Sequence, residues 1–197
     1  MAQHKIVYGM KKSLLIVTVL INALVISAQS GYRGFADLGY TIGIGDYEFG
    51  RYEVNTTHGY QVCPFFYVGG GIGFHFMQKY ETSGMGDYSL DNRESKVSIP
   101  LYVDFRSMFM TIKFAPFVDV KLGHFITNND GFYANASAGI RMRTIGHQAL
   151  SLSVGYVFEK LEFQTFGHFI SSSNMDYTRE PRKLDTEGIT IKIGYEF

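Results

Sequence analysis

Tryptophan is absent from this 197-residue chain, cysteine occurs once and proline four times. The lone cysteine, Cys63, excludes an intramolecular disulfide, and it does not stand just behind a leader as a lipid-modified cysteine would. Charged residues make up only 18% of the chain, with 18 basic and 18 acidic side chains. That balance gives no electrostatic footprint for nucleic acid. Past residue 30 there is no long helix-forming segment. What is abundant is glycine, at 22, with 14 tyrosines and 17 phenylalanines. Rich in aromatics and poor in charge, the composition suits many long strands separated by turns.

The first thirty residues stand apart. Lys11 and Lys12 precede an apolar run from Leu14 to Ile26, and the small residues Ser27 and Ala28 follow. A positive start, a short apolar core and a small-residue exit describe a secretory signal peptide over 1–28, cleaved after Ala28. Asn22 interrupts the run, which is too short to span a bilayer as an anchor. Met10-Lys11-Lys12 would open a compact leader by itself. Cleavage removes Lys5, Lys11 and Lys12, which leaves a weakly acidic mature domain over 29–197.

That domain carries a two-residue period, clearest at its end. In TEGITIKIGYEF (186–197), Ile189, Ile191, Ile193, Tyr195 and Phe197 alternate with Gly188, Thr190, Lys192, Gly194 and Glu196. A strand sends such sets to opposite faces, whereas a helix would scatter them around its axis. The same pattern predicts strands over 34–45, 51–62, 66–78, 95–106, 111–126, 132–143 and 149–163. The weakest is 51–62, where Thr56 and His58 fall on the apolar face. Pro100 falls on the polar face of its strand and costs one ladder hydrogen bond. Asp46–Gly50, Cys63-Pro64, Asn128-Asn129-Asp130-Gly131 and Gly146 read as short connections. Longer polar loops are expected over 79–94 and 164–185. Eight strands of ten or more residues, with short turns at one end and longer loops at the other, predict an all-β, eight-stranded antiparallel up-and-down transmembrane barrel.

The faces distinguish a membrane barrel from a soluble one. The polar set holds Asp37, Arg51, Glu53, Asp104, Arg106, Asp119, Lys121, Arg141, Arg143, Glu159, Lys192 and Glu196, six acids and six bases. Turned outward, it would make an ordinary soluble surface. The apolar set would then have to fit inside, and its bulky residues would overfill an eight-stranded interior. The polar set is therefore assigned to the lumen and the apolar set to outer-membrane lipid.

The stretches GYRGFADLGYTIGIGDY, TTHGYQVCPFFYVGGGIGFHF and IPLYVDFR, with the closing GYEF, resemble the small porin-like outer-membrane barrels of Bacteroidetes-type bacteria. In size the chain is similar to the OmpX and OmpA barrels. The resemblance covers the mature chain. It implies a Gram-negative outer-membrane location and a C-terminal strand read by the barrel-assembly machinery, with Tyr195 and Phe197 matching its aromatic positions. Lys192 stands where the fuller signal often has glycine.

No catalytic, cofactor or metal site is expected. Gly69-Gly70-Gly71-Ile72-Gly73 lies within a strand, with no following helix and no P-loop lysine. The histidines His58, His75, His124, His147 and His168 lack metal-ligand spacing. No G-x-S-x-G elbow occurs, and His168 with Ser171–Ser173 does not reproduce the spacing of lipid A-modifying enzymes. The expectation is a non-enzymatic barrel with a polar, mostly filled lumen, which serves as a structural protein or binds an extracellular ligand through loops 79–94 and 164–185. A narrow porin is the alternative, and a lipid A-modifying enzyme a third reading.

Overall fold

The computed structural model describes residues 31–81, 90–144, 148–171 and 174–197, with the backbone alone at 90 and 166–179. The leader over 1–28, the turn at Gly146 and the His168 side chain lie outside what is described. The regular elements are β1 (Tyr32–Ile44), β2 (Gly50–Cys63), β3 (Phe66–Met77), β4 (Tyr80–Glu81), β5 (Leu90–Arg93), β6 (Lys96–Ser98), β7 (Pro100–Met108), β8 (Phe114–Phe125), β9 (Phe132–Arg143), β10 (Ala149–Ser171) and β11 (Asn174–Glu196).

Neighbours in the sheet run β11-β1-β2-β3-β7-β8-β9-β10, and β10 pairs again with β11. The wall closes as an eight-stranded up-and-down barrel in which β6 and β7 together make one strand. Both keep a single register on β3, with His75↔Ser98 on one side of the break and Ile72↔Leu101 on the other. Pro100 is the cause, since it brings no N–H to the ladder. Beside it, Ile99 turns to the next connection. Its N–H donates to Thr127 Oγ1 at 2.8 Å, and its carbonyl accepts from the Ile126 N–H at 2.9 Å. Closure leaves the wall without a free edge, the condition for a sheet in hydrocarbon.

The connections after β2, β7 and β9 are short and lie at the end that holds the chain terminus. At the opposite end, Asn128 and Asn129 both take positive φ, 58° and 53°, in the β8–β9 turn. Asparagine tolerates that left-handed region better than most side chains. Gly50 opens β2 rather than closing a loop, and Cys63 is the exposed last residue of that strand.

The long loop expected over 164–185 is corrected by the structure. β10 and β11 pair without a register break from Ala149↔Glu196 to Ser171↔Asn174. β9 follows β10 only as far as Glu159↔Tyr133, and β1 follows β11 only as far as Ile44↔Glu187. Beyond those points the hairpin leaves the wall as a two-stranded ribbon. The inner face of β10 stays covered through Leu161 and Phe163, which are fully buried, whereas Glu180-Pro181-Arg182-Lys183 of β11 are all exposed, and there the alternation that marks a wall strand is missing from the sequence. Part of the 79–94 loop is also strand: β4 pairs with β5, and β5 with β10 at Gln164↔Asn92 and Thr165↔Asp91.

The wall carries its apolar set outward. Leu38 is 63% exposed, Ile193 62% and Ile140 58%, and no acid, Lys or Arg interrupts the outward face over Ala36–Ile42, Val118–Leu122, Leu150–Phe158 or Ile189–Tyr195. Water-soluble proteins rarely expose a contiguous apolar patch beyond a few hundred Å²; a belt around the whole barrel is a lipid-facing surface. Thr56 and His58 do face outward, and they satisfy each other, Thr56 Oγ1 lying 3.0 Å from His58 Nε2. Inside, space is tight. A Cβ on Gly71 would come within 2.5 Å of the Tyr102 ring, and one on Gly69 within 2.2 Å of Tyr67 Oη. Glycine on the inward face of β3 makes room for those two rings.

Candidate functional site

Alternation sends eleven of the twelve predicted lumen residues inside, each at most 5% exposed. Arg143 is the exception. It stands exposed at the end of β9, because the sequence period gives a side chain's face but not its depth along the barrel. The eleven gather into three groups along the lumen.

Near the chain terminus, the Glu196 carboxylate receives Arg141, whose Nη2 lies 2.9 Å from Oε1, and also Arg33. In the middle, three cations meet three acids. Lys121 Nζ donates to Asp37 Oδ2 at 2.6 Å across the lumen. Arg106 Nη2 lies 3.5 Å from Asp119, 3.7 Å from Asp104 and 3.8 Å from Asp37. Lys192 Nζ donates to Asn135 Oδ1 at 2.6 Å and lies 3.8 Å from Asp119, which also accepts from Ser137. The Arg106 guanidinium rests 3.9 Å from the Phe35 ring centroid, a cation–π contact in a desolvated setting. Asp104 and Lys121 are direct cross-strand partners. Even so, Lys121 makes its short bond to the far wall, a choice set by closure rather than by strand pairing.

The third group, toward the loop end, joins Arg51, Glu53, His75 and Glu159. Arg51 Nε donates to Glu53 Oε1 at 3.0 Å, and Arg51 Nη1 lies 2.9 Å from Glu159 Oε2. His75 stands between the two acids, Nδ1 at 3.5 Å from Glu159 and Nε2 at 3.9 Å from Glu53, with Asn55 Oδ1 at 3.2 Å. Several buried atoms here have no hydrogen-bond partner among the described residues: Arg51 Nη2, Glu53 Oε2, Asn55 Nδ2, His75 Nδ1, Tyr133 Oη and both Glu159 oxygens. The Arg51–Glu159 approach is thus an ion pair without hydrogen-bond alignment. Polar atoms buried in this way are the kind that ordered water satisfies.

Above this group the lumen turns apolar. Phe49, Met77, Phe125, Tyr133, Val157, Leu161 and Phe163 form one buried cluster, joined at its edge by Tyr47, Tyr80 and Leu184. Over it sits a polar knot that ties the connections together. Arg93 grips Asp130 with two parallel bonds of 2.9 Å, and also donates to the Glu162 carbonyl at 2.6 Å. Asp130 accepts further from Ser98 Oγ at 2.6 Å and from the Glu162 N–H at 2.8 Å. Bidentate Arg–carboxylate geometry is both strong and directional. Asp91 accepts from Thr165 Oγ1 at 2.7 Å and from the Tyr47 hydroxyl at 3.1 Å. Partial burial and the Asp91 carboxylate push the Tyr47 phenol up to about 12.

The two segments predicted to bind a ligand, 79–94 and 164–185, are therefore brought together through β5 and β10. The sequence reading missed Arg93 and Asp130, which lie in connections where no period marks a buried position. His75 had a signal, since it alternates with Phe74 and Phe76 on the inward face. Tyr195 and Phe197 point outward with rings stacked at 6.1 Å. The Phe197 backbone exchanges two 3.0 Å bonds with Gly34 at the end of the closing pair. Among the described residues no three His, Cys, Asp or Glu side chains are grouped to hold a metal ion.

No family model and no curated protein sequence matches this chain. Among solved structures, a de novo designed transmembrane β-barrel aligns over 85% of this chain and 95% of its own, with a TM-score of 0.45 and 15% identity. The outer-membrane enzyme PagL aligns over 81% of this chain and 98% of its own, with a TM-score of 0.39 and 10% identity. Identities this low transfer no residue's role, and the chemistry of the site rests on its own geometry.

Proposed function

We propose that the protein is a non-enzymatic integral barrel of the outer membrane, exported by the 1–28 leader, whose lumen is closed and whose loop end is its working surface. The carrying observation is the pairing of a largely apolar exterior with an interior filled by matched charges and capped by aromatic rings. An eight-stranded wall encloses a space about wide enough for side chains alone. Here Arg51, Arg106, Lys121, Arg141 and Lys192 occupy it beside their carboxylates, and the Phe49–Phe163 cluster closes one end. In this reading the termini and short turns face the periplasm, Tyr195 and Phe197 are read by the barrel-assembly machinery, and β4, β5 and the ribbon face outward. The barrel holds that outer surface rigidly in the membrane, as a structural or adhesive protein.

A narrow porin is the second reading. The unpartnered polar atoms around His75 favour it, because they support water inside the barrel. Single-channel recording of the refolded monomer in planar bilayers separates the two. The closed reading expects a silent bilayer, and stable openings of general-porin size would overturn it.

A further inference from the structure

The β4–β5 hairpin and β10 enclose a cleft of about 410 Å³ at the loop end. That volume falls within the range of small-molecule sites, about 300–1,000 Å³. We propose that this cleft binds a neutral, hydroxyl-rich ligand, a saccharide unit. The proposal rests on the reading of the loop end as a binding surface, and it names the chemistry that surface recognises.

Charge is the first argument. Lys79, Arg93 and Lys96 face Glu81, Glu94 and Glu162 around the cleft, so the lining carries no excess of either sign. Most of that charge is also engaged already. Lys79 pairs with Glu81 at 2.5 Å, Glu162 accepts from Asn129 at 2.5 Å, and Arg93 is matched by Asp130 beneath. What is left, Glu94 and Lys96, is one charge of each sign, so the lining as a whole favours neither an anion nor a cation.

Hydrogen-bonding capacity is the second. The Asn92 and Gln164 carboxamides make no side-chain bond to any described residue, and each offers donors and an acceptor. Glu94 adds an acceptor and Lys96 a donor, neither in an ion pair within bonding distance among the described residues. Arg93 is 3% exposed and lines the cleft, and its Nε–H has no acceptor among the described residues. A hydroxyl donates and accepts at one atom, which is the complement this mixed lining requires. Tyr80 contributes a ring at the same wall, an apolar surface for the carbon face of a sugar.

Rigidity is the third. Arg93 on the cleft wall is held from behind by Asp130, and that pair draws β5, β6, the β8–β9 turn and β10 to one point. Asn92 and Gln164 are direct partners across the β5–β10 ladder. A recognition site built on paired strands holds its groups in place before the ligand arrives.

The test is a titration of the ¹⁵N-labelled barrel in phosphatidylcholine nanodiscs, which contain no glycoside detergent. The probes are glucose, galactose, mannose, N-acetylglucosamine and their β-linked dimers, with glycine betaine as the zwitterionic arm and inorganic phosphate as the anionic arm. The proposal expects a sugar to shift the Asn92 and Gln164 side-chain amide signals, with little dependence on salt because the ligand is neutral. Combined Asn92→Leu and Gln164→Leu substitution should weaken that binding by about tenfold or more. Both positions are at the surface, and backbone amide dispersion reports whether the variant folds. Three results overturn the proposal: no sugar moves these signals, only betaine or phosphate moves them, or sugar binding persists in the variant. None of the three would open the lumen, so the closed-barrel reading fails only by conductance.

Discussion

β10 and β11 are each one continuous strand, yet each passes through two environments. From Ala149 to Glu159, β10 is barrel wall, and it reads as strict alternation, Leu150, Leu152, Val154, Tyr156 against Ser151, Ser153, Gly155 and Glu159. From Lys160 onward the same strand keeps its register on β11 but loses β9 as a neighbour. β11 mirrors this, with Thr186–Glu196 alternating and Glu180-Pro181-Arg182-Lys183 exposed throughout. The backbone pairing is equal in both halves. Alternation is therefore the imprint of two unlike faces, which β10 keeps through Leu161 and Phe163 over the apolar cluster and β11 lacks at Glu180–Lys183, and not of being a strand. The ribbon's free edge shows the complementary signature: Pro181 with flanking charges, which protects an unpaired edge from pairing with another chain.

The largest effect expected from that contrast lies in the lumen of the wall. Asp119→Ala removes the one carboxylate that Arg106, Lys121 and Lys192 all approach within 3.8 Å. Breaking a buried ionic group in this way costs about 3–5 kcal/mol, to be read from denaturant unfolding in lipid vesicles. A change below that of a surface substitution would mean that the lumen is wetter than its burial implies. On the outer face, Val120→Arg should cost roughly 2–4 kcal/mol if the position lies near the bilayer midplane. In the ribbon, Arg182→Ala should stay within about 0.5 kcal/mol, as exposed substitutions do. Equal effects at Val120 and Arg182 would erase the distinction between wall and ribbon.

Deletion of Phe197 sharpens the comparison from the closing seam. It removes one aromatic ring and the two backbone bonds to Gly34, and leaves the remaining β1–β11 pairing intact. Outer-membrane yield in cells should fall more than refolding in detergent does. Equal losses in the two measurements would reduce Phe197 to a seam contact.

The smallest effect is one of pH. The folded Tyr47 phenol titrates near 12, above the roughly 10 of an unfolded tyrosine. The folded state then holds the proton more tightly. Its contribution to stability is complete below about pH 10 and is lost as pH rises toward 12. Ultraviolet titration of phenolate, compared between the parent protein and Tyr47→Phe, should show one tyrosine fewer in that late range.

The eight wall strands were legible because each carries the period of its two surroundings over ten or so residues. Pro100 was legible as a missing ladder bond, and the structure adds that the strand parts there into β6 and β7 without slipping register. The lumen set was legible by face, which is why eleven of its charges are buried as read. Depth was not legible, so Arg143 was placed inside when it stands at the rim. Arg93 and Asp130 were illegible for a different reason. They meet across 37 residues in segments with no period, and only the folded connections bring them within bonding distance.

The sequence alone determined that these residues form strands, which side of each strand is apolar, and that the polar side carries balanced charge, because a two-residue period follows from the geometry of an extended backbone. Only the tertiary structure decided which acid meets which base, where the ribbon leaves the wall, and that the loop end gathers β5, β10 and the Arg93–Asp130 knot around one cleft. Those contacts depend on closure, which sets opposite walls a side chain's length apart, and no local pattern along the chain encodes that distance.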